Sequence, residues 1–278
     1  MQRKRKDCPV PGCCKTQLLR LANHLADVHG LSPDERKPWL QEAKCRFHKY
    51  SRTVNENSVV PHPLTMVDVR FKFPCSIVLS GPSGCGKSTF CERLLRHLDD
   101  MFDVKIEQIV YCYGEFQPRF LIMEQEIPNL TFYKGFPEHI YSLFEKTPGL
   151  IILDDLMSEC STSDTMMDLI TKGSHHQNIA CMRLTQNLYY GGKHSRTISL
   201  STHYIVAFKN PRDSLGISTL ARQAFPRAVP YVLESYEDAT RLPYSYLLLD
   251  FHNSTPDSLR LRTSIFPDEQ QVVYVKRT

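Results

Sequence analysis

The sequence predicts an α/β domain with a mainly parallel central sheet covered by helices, preceded by a small module rich in cysteine and histidine. Three observations predict it. From residue 71 onward short apolar runs alternate with helical patterns. The runs are apolar on both faces, as strands covered by helices on either side must be. The first run passes directly into a glycine-rich stretch and then into a helical pattern.

Taken in order, CSIVLS at residues 75–80 reads as a buried strand ending at the glycine-rich stretch. STFCERLLRHLDDMF, residues 88–102, places Leu94, Leu95 and Leu98 at helical spacing and reads as one helix. EQIVYCYG and LTFYKG read as a second and a third strand. GLIILDDL, residues 149–156, is an apolar run ending in two aspartates, and NIACMRLTQN, residues 178–187, is a strand ending in polar residues. HYIVAFKN at 203–210 and SYLLLDF at 245–251 read as later strands. A parallel sheet places ligands at the C-terminal ends of its strands, so the polar residues that follow the apolar runs are the candidate site.

The 278 residues suffice for a large domain plus a small one. The expected division is a module at 1–50, a linker at 51–64 whose SRTVNENSVVPHP segment is polar and turn-forming, and the α/β domain at 65–278. No internal repeat is visible. No apolar run reaches the roughly 18–20 residues that span a bilayer, and the basic start has no apolar stretch behind it. These features predict the host cytoplasm or nucleus and no membrane partner. A net charge of +4 does not by itself argue for nucleic acid. The basic tip Arg3, Lys4, Arg5 and Lys6 fits phosphate contacts, a nuclear-import signal or simply a solvated end. Cys75, Cys112 and Cys181 lie in or beside apolar runs, where reduced thiols act as small buried residues.

The glycine-rich stretch, Gly81, Pro82, Ser83, Gly84, Cys85, Gly86, Lys87, Ser88 and then Thr89, fits G-x-x-x-x-G-K-[ST] without a gap. Its glycines let successive amides curl around a β-phosphate, and the following helix adds a partial positive charge. Lys87 is expected to reach the β- and γ-phosphates of ATP, and the Ser88 hydroxyl to ligate Mg²⁺. With a strand before it and a helix after it, the motif predicts a P-loop NTPase. Asp154 is the candidate magnesium-associated acid. Asp155 is the candidate base for the attacking water; many ATPases carry Glu there, and Asp is one methylene, about 1.5 Å, shorter. The alternative for both aspartates is to cap a helix starting near Ser161. Gln186 is placed to contact the γ-phosphate or orient the water, the alternative being a turn residue.

After the phosphate loop, the acid pair and the Thr-Gln-Asn strand end, the segment from residue 173 to 213 resembles the viral genome-packaging ATPases of the FtsK/HerA superfamily. It is similar in particular to the poxvirus-type enzymes of Maverick/Polinton elements and adintovirus-like viruses. The resemblance covers about residues 70–250, and RTISLSTHYIVAFKNPRD, residues 196–213, is its most specific part. It implies a ring-forming homo-oligomer that drives double-stranded DNA into a capsid using ATP, with capsid proteins as partners and a virion-associated location. It also implies an arginine supplied to each site by the next subunit, for which Arg196 and Arg212 are both candidates; surface ion pairing is the other reading of each.

Cys8, Cys13, His24 and His29 form C-x4-C-x10-H-x4-H, a donor set suited to tetrahedral Zn²⁺. TQLLRLANHLADVHG reads as an amphipathic helix carrying both histidines, with Gly30 at its end. This resembles a C2H2 zinc finger, with a wider cysteine spacing and a shorter middle than usual. Cys14 is an alternative to Cys13, and Cys45 with His48 offers an alternative site. Such a finger would contact DNA or a protein partner, and an unliganded helical segment is the other reading.

Two further functions compete. A P-loop kinase or GTPase on a small substrate lacks support from any Asn-Lys-x-Asp motif or arginine-rich helical lid. A zinc-finger DNA-binding protein with a non-catalytic nucleotide site is disfavoured by the presence together of Lys87, Ser88, Asp154 and Gln186.

Overall fold

The computed structural model describes residues 68–137, 139–144, 147–156, 169, 178–189 and 200–276, together with Ser32. The chain divides into Met1–Thr65 and Met66–Thr278. Apart from Ser32, every described residue belongs to the second unit. Cys8, Cys13, His24, His29 and Arg196 lie outside the described residues.

The second unit is built on a nine-stranded sheet in the order β3-β2-β4-β5-β1-β6-β7-β8-β9. The strands are β1 Ser76–Ser80, β2 Gln108–Tyr113, β3 Leu130–Lys134, β4 Gly149–Asp154, β5 Ile179–Thr185, β6 Tyr204–Phe208, β7 Tyr246–Asp250, β8 Leu261–Thr263 and β9 Val272–Tyr274. From β3 through β6 every neighbouring pair is parallel. Strands β7, β8 and β9 join antiparallel. The expectation of a mainly parallel sheet holds, and every run read as a strand is one. SYLLLDF departs in direction, because β7 returns along β6 in place of crossing over, with Phe208 opposite Tyr246.

Helices cover both faces. Helix α1, Lys87–Arg96, packs Phe90, Cys91, Leu94 and Leu95 against Ile77, Leu79, Tyr111 and Ile152. The segment read as one helix over 88–102 is two: α1 stops at His97, and the short α2 covers Leu98–Met101. The break has a packing cause. Phe71 N donates to Met101 O at 2.8 Å, and Phe71 bridges Phe102, so the chain must turn to bring both residues into the core. Helix α3, Arg119–Glu126, buries Phe120 and Met123 in the same layer.

On the opposite face, α4, Ser214–Ala224, and α5, Val229–Ala239, pack Ile217, Leu220, Ala221 and Val232 on Val78, Ile205, Leu247 and Leu249. Val110, Cys112, Ile151 and Leu153 form a separate apolar cluster with Ile140 and Phe144. Strand residues alternating between these clusters is what a sheet buried on both faces requires. Cys75 and Cys91 are buried free thiols, and Cys85 is a half-buried one. Among the described residues no helix is long and apolar enough to cross a membrane.

The antiparallel extension is tied down by a buried ion pair. Arg262 Nη2 donates to Asp250 Oδ2 at 2.6 Å, and its Nη1 donates to Val69 O at 2.6 Å. Both side chains are nearly inaccessible, and burial outweighs their attraction: it raises the Asp250 carboxyl and lowers the Arg262 guanidinium, whose Nε is left without a partner among the described residues.

Candidate nucleotide site

The site begins where β1 ends. Gly81 N donates to Thr185 O at 3.2 Å, which welds the start of the loop to the end of β5. A Cβ on Gly81 would stand 2.7 Å from Cys85 Sγ and 2.8 Å from Phe208 Cβ, so only glycine fits this close approach. Gly86 is the residue before α1 and has φ 107, a conformation that L side chains rarely adopt. Its carbonyl accepts from Phe90 N at 2.8 Å, so the loop feeds straight into the helix. The loop amides and the α1 N-terminus therefore share one concavity, the geometry of an anion cradle. Ser83, Gly84 and Thr89 are exposed, and Pro82, Cys85, Lys87 and Ser88 are half-buried.

Lys87 Nζ donates to Gly81 O at 2.5 Å and to Pro82 O at 2.9 Å. The ammonium thus lies across the mouth of the loop. Burial raises the Cys85 thiol above its ordinary value, against the opposing Lys87 charge, so Cys85 is a neutral lining residue.

Asp154 closes β4, opposite Tyr113 of β2 and Leu184 of β5. Tyr111 lies two residues before Tyr113, on the same face, and its hydroxyl donates to Asp154 Oδ2 at 2.8 Å. Burial pushes the Asp154 carboxyl above the usual carboxylate range and the negative Asp155 adds to it; the Tyr111 hydrogen bond and the Lys87 charge pull it back. Burial also pushes the Tyr111 phenol far up, so it stays a donor at any working pH. Asp155 is exposed, with φ 57, a left-handed conformation that aspartate tolerates better than most residues. Its carboxylate stands out from the strand end.

Gln186 is the exposed residue immediately after β5. Because β5 lies between β1 and β4, the loop, Gln186 and the aspartates occupy consecutive strand ends along one edge of the sheet. Arg212 is exposed beyond β6, at the same edge; its amide donates to Asn210 Oδ1 at 3.2 Å, and the next residue, Asp213, caps α4 through Gly216 N at 2.9 Å. Tyr236 of α5 donates its hydroxyl to Phe208 O at 2.8 Å and accepts from Asn210 N at 3.0 Å, fixing the end of β6 beside the loop.

A family profile described as RNA helicase matches residues 77–187, from β1 through the residue after Gln186. This is a P-loop NTPase-like domain. Strand, phosphate loop, helix and acid stand in the order and layering that such a domain requires, and they support ATP binding and hydrolysis. The NTPase-like domain has structural similarity to the genome-packaging NTPase B204 of Sulfolobus turreted icosahedral virus 2 bound to ATP-gammaS. The TM-score is 0.47 at 14% identity, covering 66% of this chain and 95% of that one. It is also similar to the cytoplasmic domain of the type VII secretion ATPase EccC of Thermomonospora curvata, with a TM-score of 0.43 at 15% identity, covering 65% of this chain and 24% of that one. No curated protein matches the sequence.

The donor set of the NTPase-like domain fits magnesium. The Ser88 hydroxyl and the Asp154 carboxylate are hard oxygen ligands, and magnesium bound with a nucleotide takes few protein ligands, the rest being phosphate and water. No group of three or more His, Cys, Asp or Glu that could hold a metal ion by itself occurs among the described residues. Sequence reading misses Tyr111. The only signal for it is a tyrosine inside an otherwise apolar strand, whose hydroxyl needs a partner once buried.

Proposed function

We propose that this protein is an ATP-driven translocase of double-stranded DNA that works as a homo-oligomeric ring and packages a viral or virus-like genome into a capsid. The observation that carries the catalytic reading is the convergence of the Lys87 loop, Gln186 and the Asp154–Asp155 pair on adjacent strand ends. The DNA reading is supported by the resemblance of residues 196–213 to the packaging ATPases of the FtsK/HerA superfamily.

In this reading the amides from Gly81 to Thr89 bind the phosphates, and Lys87 turns from the loop carbonyls to the β- and γ-phosphates. Ser88 and Asp154 would hold the magnesium of the nucleotide, which would supply charge neutralisation to the phosphates. Gln186 orients a water in line with the γ-phosphorus. The water oxygen bonds to phosphorus, the bond to the bridging oxygen of ADP breaks, and the proton passes to the Asp155 carboxylate. Arg196 or Arg212, reaching a neighbouring subunit's site, stabilises the transition-state charge. Cys8, Cys13, His24 and His29 would hold zinc in an accessory module that contacts DNA or another packaging component.

Phosphate release measured with and without duplex DNA tests the reading. Hydrolysis stimulated several-fold by long duplex DNA, and not by nucleosides, is expected. No hydrolysis under either condition rejects it. The RNA-helicase profile match favours a second reading, NTP-driven unwinding of RNA; strand displacement on RNA duplexes, with stimulation by single-stranded RNA exceeding that by duplex DNA, would select it.

The Tyr111–Asp154 hydrogen bond carries a pH signature. Hydrogen bonds to charged groups contribute about 1.5–3 kcal/mol, and about 1.4 kcal/mol corresponds to one pH unit. Removing the donor in Tyr111→Phe lets the buried carboxyl rise further, so more of it is protonated at low pH. The acid limb of the kcat/KM profile is expected to move upward, with turnover falling more at acid than at alkaline pH. An unmoved acid limb would show that the bond serves packing alone.

A further inference from the structure

The turn that enters β7 carries a tyrosine in a position suited to glycine. Ser245 N donates to Leu242 O at 3.3 Å, and the Ser245 hydroxyl donates to the same carbonyl at 2.6 Å. Pro243 is the second residue of this turn and Tyr244 the third, with φ 64. A four-residue turn with proline second and positive φ third is one in which glycine is normally third. Holding a bulky side chain there is strained. The ring does not repay that by burial, because Tyr244 is 72% exposed.

What the ring stands beside is the phosphate loop. A Cβ on Gly86 would lie 3.3 Å from Tyr244 Cβ and 3.5 Å from its Cδ1, so Tyr244 lies against the last glycine of the cradle. The sheet explains how it gets there. Because β7 runs antiparallel to β6, the turn before β7 sits at the same edge as the C-terminal ends of the parallel strands. The order β4-β5-β1-β6-β7 puts the aspartates and Gln186 on one side of the loop strand and Tyr244 on the other. In the function proposed above, the γ-phosphate points to the side of β4 and β5. The remainder of the nucleotide must then leave the loop on the side of β6 and β7, where the exposed phenol ring stands.

We propose that Tyr244 is the platform on which the planar base of the nucleotide stacks. This deepens the nucleotide-binding reading and rests on it. An exposed ring, fixed in place by a strained turn, offers a rigid π-face at little further ordering cost. Stacking tolerates any base, so the platform contributes affinity and does not choose between ATP and GTP.

The test uses the full chain and two probes, ATP and inorganic tripolyphosphate, each with magnesium and titrated by calorimetry. Tripolyphosphate offers the loop its phosphates without a base. Tyr244→Ala is expected to weaken ATP binding roughly tenfold to a hundredfold, and GTP binding equally, while tripolyphosphate binding stays within about twofold of wild type. Tyr244→Phe, which keeps the ring, is expected to retain ATP affinity. Unchanged ATP affinity in Tyr244→Ala overturns the platform, as does an equal loss for both probes, which would mark a distorted loop. Wild-type protein that binds neither probe overturns the nucleotide-binding reading itself, and the platform with it.

Discussion

Lys87→Ala is expected to lower ATP turnover by at least about 10²–10³-fold while leaving the fold intact. The rate effect follows from removing the loop cation that, in the proposed mechanism, turns to the phosphates: charge stabilisation of a phosphoryl or acyl transition state in a preorganised site is commonly worth that factor. The stability effect is small for a reason visible in the structure. Lys87 is half-buried, and the variant loses hydrogen bonds to Gly81 O and Pro82 O. Gly81 is buried, but Pro82 is half-buried and Ser83 and Gly84 beyond it are exposed, so water replaces part of what is lost and each bond contributes only about 0.5–1.5 kcal/mol net. Phosphate release and thermal melting on the same sample check both halves. Turnover within about tenfold of wild type would remove Lys87 from the mechanism. A collapse of the melting temperature would show that the residue is structural. Arginine is not an adequate replacement, because its planar fork cannot present the compact charge that the loop is shaped around.

Asp154→Asn is expected to abolish hydrolysis and, at neutral pH, to raise the melting temperature. The sign follows from the direction of the carboxyl shift. Burial raises the folded-state value above the ordinary one of about 3.9, so the folded protein holds that proton more tightly than the unfolded chain does. The stabilisation tied to the bound proton is fully present below the unfolded value and is lost as pH rises through the folded value. Above the folded value the native state carries an ionised, desolvated carboxylate. Asparagine removes that charge and still offers an oxygen to the Tyr111 hydroxyl. The gain should amount to roughly 2–4 °C for each kcal/mol relieved, and it should shrink toward zero as pH falls below about 4. Melting curves of both proteins between pH 3.5 and 8 decide it. A variant less stable than wild type at pH 7, or a difference that does not change with pH, contradicts the assignment of burial as the cause. Function then maintains a residue that the bare fold would be better without, as sites that bind charge commonly do.

The parts legible in the sequence share one property: their meaning is local. The loop from Gly81 to Ser88 declares itself because strand, turn and helix are consecutive. Asp154 and Gln186 declare themselves because each follows an unbroken apolar run. The parts that were not legible depend on contacts between distant residues. Tyr111 and Asp154 are 43 positions apart, and only the parallel register of β2 and β4 brings them together. Arg262 is charged, yet it is buried against Asp250, 12 positions away on the neighbouring strand. Strands β8 and β9 are three residues each, too short to show a period. The helix break at His97 depends on Phe71 docking at Met101, and α4 and α5 follow β6 in a stretch from which no helix was read. Tyr244 is prominent only once the direction of β7 is known.

The position of β5 sets how a site of this kind can respond to its contents. The strand is buried along its whole length and is bonded on both sides, to β1 and to β4. Neither the loop strand nor the acid strand can slide past it without breaking a full ladder. The edge of the sheet is therefore a stiff bench, and the difference between a triphosphate and a diphosphate cannot travel through it as a displacement. It leaves through described residues that project from the bench, such as the exposed Gln186. A protein arranged in this way signals with its fingertips while its palm stays still.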